Sequence, residues 1–195
     1  MAGADLGLIP MPYSRAVPTL TPATIVLIGM MGCGKSTVGR ALAERTGWRY
    51  LDNDELVRAF TGRAAEEIDA TDGEAALHRA EADALRYALT MPPPLILSVA
   101  AWVAADPRSQ ALLRAAPAVV YLRARTETLR ARIGTGAGRR GDATDLDWLR
   151  ARHAERDAIY REIATLTIDT DDLAGDAIAQ LILDTLRRKA VGQDA

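Results

Sequence analysis

Residues Gly29-Met30-Met31-Gly32-Cys33-Gly34-Lys35-Ser36-Thr37 fill every fixed position of the spacing G-x-x-x-x-G-K-[ST]. Glycines at such intervals let successive backbone N–H groups wrap a polyphosphate, and a helix beginning there turns its positive dipole end to the anion. Lys35 supplies a point charge for the β- and γ-phosphates. Ser36 offers a hydroxyl to a bridging magnesium ion, and Thr37 reaches the α-phosphate. The alternative is a glycine-rich turn with no ligand. The apolar run over 23–28 just before the motif and the helical pattern over 38–43 just after it favour the phosphate site, because they place the motif at a strand-to-helix junction.

A second group with chemical potential is Asp52-Asn53-Asp54, at the end of the next strand-like run. In a parallel sheet both carboxylates emerge at the same edge as the phosphate loop. One could orient a magnesium-bound water, and the other could accept the proton of an attacking hydroxyl. Asp54 could equally be a helix N-cap before Glu55-Leu56-Val57, and the residues alone leave both roles open. Cys33, the single cysteine, excludes an internal disulfide and any multi-cysteine metal site. A helix N-terminus can activate a thiol, but the plainer reading is a position that needs a small residue.

The elements that must hold these groups alternate along the chain. Strands are expected over 23–28, 48–52, 95–99, 118–122 and 166–169. Helices are expected over 38–43, 54–60, 64–70, 74–89, 107–115, 126–133, 145–164 and 173–188. Pro92-Pro93-Pro94 ends one helical stretch, and a glycine-rich break covers 134–141. Short apolar strands separated by helices imply a five-stranded parallel sheet, α/β in class, with helices on both faces and ligands at the carboxyl ends of the strands. Residues 1–22, with four prolines and no periodicity, read as a mobile extension ahead of a single domain over 23–190.

Composition narrows the partners. The chain has 195 residues, 49% hydrophobic and 26% charged, with a net charge of -2, so it can bury one core and carries no general basic field. Extended nucleic-acid or membrane-surface binding has little electrostatic support, and a small-molecule partner is favoured. With no apolar run of membrane-spanning length and no secretory pattern, a cytoplasmic monomer is expected.

Over roughly residues 24–188 the chain resembles the shikimate kinases, a family of small P-loop kinases. GMMGCGKSTVGRALA looks like that family's opening segment, and LDNDELVRAFTGRAAEEI resembles its D-x-D with the following TG turn. DGEAALHRAE is similar to its GE…FR…E segment, and IDTDDLAGDAIAQLI to its closing strand and helix. The resemblance implies a three-layer P-loop kinase fold with a lid, and transfer of the γ-phosphoryl of magnesium ATP to the 3-hydroxyl of shikimate. It further implies that Gly32, Cys33, Gly34, Lys35, Ser36 and Thr37 bind ATP. Ser36 and Asp52 serve magnesium, Lys35 and Asp54 are catalytic, and Asp54 also holds the substrate hydroxyls. Arg139 corresponds to the lid arginine that meets ATP, with Arg140 adjacent. Arg156 corresponds to an arginine that binds the substrate carboxylate, although it could simply decorate a charged helix.

Two positions depart from the pattern. Where the family has the first substrate arginine, in FR, this chain has Leu77-His78, and an imidazole lacks the bidentate fork of a guanidinium. Arg79 follows, but adjacent helix residues point in different directions. Where the family has three glycines after the third strand, this chain has Ala100-Ala101-Trp102. The indole could fill the acceptor pocket or turn inward as core. Three functions compete at this point: a shikimate kinase, a kinase for another cyclitol or polyol, and a non-catalytic ATP-binding pseudokinase. Lys35, Ser36, Asp52 and Asp54 together weigh against the last.

Overall fold

The apolar runs become the strands of one parallel sheet. The computed structural model describes residues 24–134 and 145–193. Its strands β1 (Thr24–Ile28), β2 (Arg49–Asp52), β3 (Leu95–Ser98), β4 (Ala118–Arg123) and β5 (Leu166–Asp169) lie in the order β2-β3-β1-β4-β5, every neighbouring pair parallel. Ile25, Val26, Leu27 and Ile28 of the central strand are wholly buried, as are Val119 and Val120 of β4. A strand covered on both faces shows a continuous apolar run in place of alternation, which is why these segments are legible but their facing is not.

Helices α1 (Lys35–Thr46), α2 (Asn53–Thr61), α3 (Ala65–Asp72), α4 (Glu74–Ala88), α5 (Pro107–Arg114), α6 (Thr126–Ile133), α7 (Leu146–Ile163) and α8 (Gly175–Gln193) complete the three layers, with a 3-10 turn at Val103–Ala105. α1 packs against α8 and the strands beneath it, and α7 packs against β4 and α5. Helices α2, α3 and α4 share a small apolar cluster of their own, Val57, Ile68, Leu77 and Ala84, beside the main core. They form a helical unit at the edge of the sheet next to the phosphate loop.

The structure changes several expected boundaries. α1 starts at Lys35, three residues earlier than expected, so Lys35, Ser36 and Thr37 are its first turn. α2 starts at Asn53, and its N-cap is Asp52, whose carboxylate accepts from the Asp54 N–H at 3.2 Å. The cap role considered for Asp54 therefore belongs to Asp52: a cap needs the extended backbone of the last strand residue, and Asp54 is already helical. α8 begins at Gly175, not 173. A Cβ on Gly175 would lie 2.7 Å from Thr37 Cγ2, so glycine lets α8 close on the phosphate loop. The lid region beyond Gly134, with Arg139 and Arg140, and the extension over 1–22 lie outside the described residues.

Candidate active site

At the carboxyl end of β1 the chain must reverse tightly into α1. Gly34 has a φ of 101°, which a side chain would strain. Gly29 allows close approach to β4, since a Cβ there would sit 2.5 Å from the Leu122 carbonyl oxygen. The first turn of α1 carries no side-chain cap, which leaves its N–H groups facing the cavity. The Lys35 ammonium lies back over the loop, donating to the carbonyls of Gly29 at 2.9 Å and Met30 at 3.1 Å. Cys33 is buried in the core and lines the loop from beneath, which supports the packing reading over a reactive thiol.

Beside this loop the first turn of α1 and the ends of β2 and β3 deliver oxygen atoms to one point. The Ser36 hydroxyl donates to Asp52 Oδ2 at 2.8 Å. The Tyr50 hydroxyl reaches the same Oδ2 at 2.7 Å and lies 2.9 Å from Ser98 Oγ. Tyr50 precedes Asp52 by two residues on β2, so period-two alternation puts both on one face, and parallel pairing sets Asp52 opposite Ser98. Burial, followed by the neighbouring Asp52 carboxylate, pushes the Tyr50 phenol far above its ordinary range and keeps it a neutral donor, against the opposing hydrogen bond of Ser98. These are hard oxygen ligands, few in number and next to an uncapped helix start. They suit magnesium, which binds through one or two protein oxygens plus phosphate and water in preference to an all-protein cage. No cluster of three or more His, Cys, Asp or Glu able to hold a metal occurs among the described residues.

One cavity of 690 Å3 runs from the phosphate loop to the α2–α4 unit. Around the phosphate loop it is lined by residues 31–38, together with Asp52, Ser98, Arg132 and Gly175. From α2, α4, the turn after β3 and α7 it is lined by Asp54, Glu74, His78, Ala100, Ala101, Trp102 and Arg156. Asp54 is exposed to this space from the first turn of α2. His78 and Trp102, the two departures, meet face to face, with ring centroids 3.8 Å apart and planes 6° from parallel. Trp102 packs against the core and also lines the cavity, so the two fates considered for it both hold in part. Arg79 is exposed on α4 away from the cavity and does not replace a missing arginine.

The structure brings in residues that motif reading passed over. Arg132 on α6 donates to Thr170 Oγ1 at 3.0 Å and to the Asp171 carbonyl at 3.2 Å, tying the end of α6 to the segment after β5. Thr170 in turn donates to the Cys33 carbonyl at 3.3 Å. Tyr160, one helical turn beyond Arg156, donates to the Ala101 carbonyl at 2.5 Å and so ties α7 to the loop before Trp102. Burial raises the Tyr160 phenol well above its usual range, while the nearby Arg156 guanidinium works the other way. Ser98 could have been found as the polar residue inside the apolar run over 95–99, and Tyr50 by its spacing of two from Asp52 on one strand. Arg132 and Tyr160 gave no such signal, because both read as ordinary helix residues.

A parallel sheet in this order, a phosphate loop and a carboxylate-lined cavity across from it define a P-loop small-molecule kinase. Comparison with known proteins narrows the class. The shikimate kinase family model matches residues 31–187. A shikimate kinase from Streptomyces coelicolor is 38% identical over 167 residues, covering 85% of this chain and 96% of the relative. One from Aromatoleum aromaticum is 36% identical over 147 residues, covering 74% and 83%. The solved shikimate kinase of Acinetobacter baumannii in complex with shikimate superposes with a TM-score of 0.80 at 31% identity, covering 87% of this chain and 96% of that one. The chain belongs to the shikimate kinase family.

Proposed function

We propose that this protein transfers the γ-phosphoryl group of ATP to the 3-hydroxyl of shikimate. The observation that carries the reading is a single cavity in which the Lys35–Ser36–Asp52 phosphate end faces Asp54 and Arg156 at the other end. Magnesium ATP, when bound, supplies the phosphoryl donor and the cation that neutralises its charge. The loop N–H groups from Gly32 to Thr37 cradle the phosphates, and Lys35 exchanges its carbonyl partners for phosphate oxygens. Ser36 and Asp52 would hold the cation, with Tyr50 and Ser98 fixing the Asp52 carboxylate. Asp54 holds the acceptor hydroxyl and takes its proton as the new O–P bond forms and the bond from the γ-phosphorus to the bridging oxygen breaks, releasing ADP, and Arg156 binds the acceptor carboxylate. Arg139 is the lid arginine in this reading.

In this reading the protein acts as a monomer in the cytoplasm, where ATP is available. No helix among the described residues is long and apolar enough to cross a membrane. The test is ADP release by the purified protein with shikimate and a panel of cyclitols and polyols. Stimulation by shikimate is expected. Stimulation only by another acceptor would reassign the substrate, and none despite tight ATP binding would leave a binding protein.

A further inference from the structure

The two halves of the acceptor pocket differ in what they can recognise. On the α4 side the wall is the His78–Trp102 stack, with His78 Nε2 also 3.5 Å from Glu74 Oε1 one turn earlier on the same helix. That wall presents an aromatic pair and a carboxylate. On the α7 side stands Arg156, and the other arginine lining the cavity, Arg132, is engaged by Thr170 and Asp171 at the nucleotide end. Among the described residues, one guanidinium therefore faces the acceptor. The wall is also fixed: Tyr160 holds the Ala101 carbonyl, so the loop carrying Trp102 and the helix carrying Arg156 share one frame.

We propose that the His78–Trp102 pair is the acceptor-specificity element of this kinase, and that it extends the acceptor range to neutral hydroxylated six-membered carbocycles without a carboxylate. The proposal rests on the shikimate reading given above. A planar stack packs against the apolar face of a ring whatever its charge, while a carboxylate held by one guanidinium contributes less discrimination than one held by two. Losing one charged contact is worth about ten- to a hundredfold in affinity, so the preference for an acid over its neutral analogue shrinks by that factor.

The experiment compares kcat/KM for shikimate and for its methyl ester in the wild-type protein, in Trp102→Gly, in Trp102→Phe and in the double variant His78→Arg/Trp102→Gly. The wild type is expected to turn over both and to favour the acid by no more than about a hundredfold, the scale of the one charged contact from Arg156. The double variant is expected to raise that preference by at least about tenfold, through a lower KM for shikimate with little change in kcat. Trp102→Phe keeps an aromatic face and should keep the wild-type ratio, whereas Trp102→Gly should lose ester turnover preferentially. Wild-type turnover of shikimate alone would overturn the proposal and leave the shikimate reading standing, and this needs no variant to fold. Variants that move both acceptors by the same factor would also overturn it. Turnover of neither compound would overturn the reading and the proposal together.

Discussion

Replacing Tyr50 by Phe removes one hydroxyl and leaves the ring in place, which isolates the contact that positions Asp52. That hydroxyl lies 2.7 Å from Asp52 Oδ2 and 2.9 Å from Ser98 Oγ. A hydrogen bond to a charged group contributes about 1.5–3 kcal/mol, which is roughly ten- to a hundredfold in an equilibrium constant. Side chains that hydrogen-bond to a metal's ligands typically change metal affinity by about the same factor when removed. The Ser36 hydroxyl still donates to the same Oδ2 at 2.8 Å, so the lower end applies. Initial rates of ADP formation, measured against free magnesium at saturating ATP and shikimate, should show the half-saturating magnesium concentration rising about tenfold. The rate at saturating magnesium should change by less than about threefold, because Lys35 and Asp54 are untouched. An unchanged magnesium dependence together with a lowered urea midpoint would mean that the phenol only packs, and the assignment of Asp52 to the cation would fall with it.

Lys35→Ala should reduce kcat by about a hundredfold or more, the scale of losing one preorganised charge-stabilising donor, while Asp54→Asn should abolish acceptor-dependent turnover and spare ATP affinity measured by fluorescence titration. Normal turnover in Asp54→Asn would remove Asp54 from the chemistry. Gly39→Ala would place a Cβ 2.2 Å from Tyr50 Cε2, so it should cost about 1–3 kcal/mol in urea unfolding and shift the magnesium dependence in the same direction as Tyr50→Phe. A wild-type unfolding midpoint would show that the ring moves away freely. Burial alone would raise the Asp157 carboxyl, but the Arg161 guanidinium at 2.7 Å and the Tyr121 hydroxyl at 2.9 Å outweigh it and hold the group below its ordinary value of 3.8. A carboxyl depressed on folding stabilises the fold above its unfolded pKa, and that contribution is lost as pH falls through the folded value. Asp157→Asn should therefore destabilise the protein at pH 6 more than at about pH 3 in urea titrations, and an equal gap at both pH values would refute the assignment.

What could be read before the structure, and what could not, follows from the range of the interactions. The phosphate loop and the five strands were legible because each is specified by contiguous residues: fixed spacings in one case, buried apolar runs in the other. The start of α1 was misplaced because Lys35, Ser36 and Thr37 were read as loop chemistry, although a helix N-terminus is what binds phosphate. The cap of α2 was left open at Asp54 and falls to Asp52, since either aspartate satisfies the local pattern and only the strand's end decides between them. The Tyr50–Asp52–Ser98 cluster and the Tyr160–Ala101 tie join distant segments through sheet register and helix packing, which no local pattern encodes. His78 and Trp102 were each noticed as departures. Their mutual stacking, which turns two losses into one aromatic wall, became visible only when α4 and the turn after β3 were brought together.

The central claim is tested most directly by identifying the product. The purified protein incubated with magnesium ATP and shikimate should form one new phosphate ester, assigned to the 3-hydroxyl by phosphorus and proton NMR, with ADP released in equal amount. Shikimate recovered unchanged while ATP remains bound, or phosphate appearing at a different hydroxyl, would contradict the account.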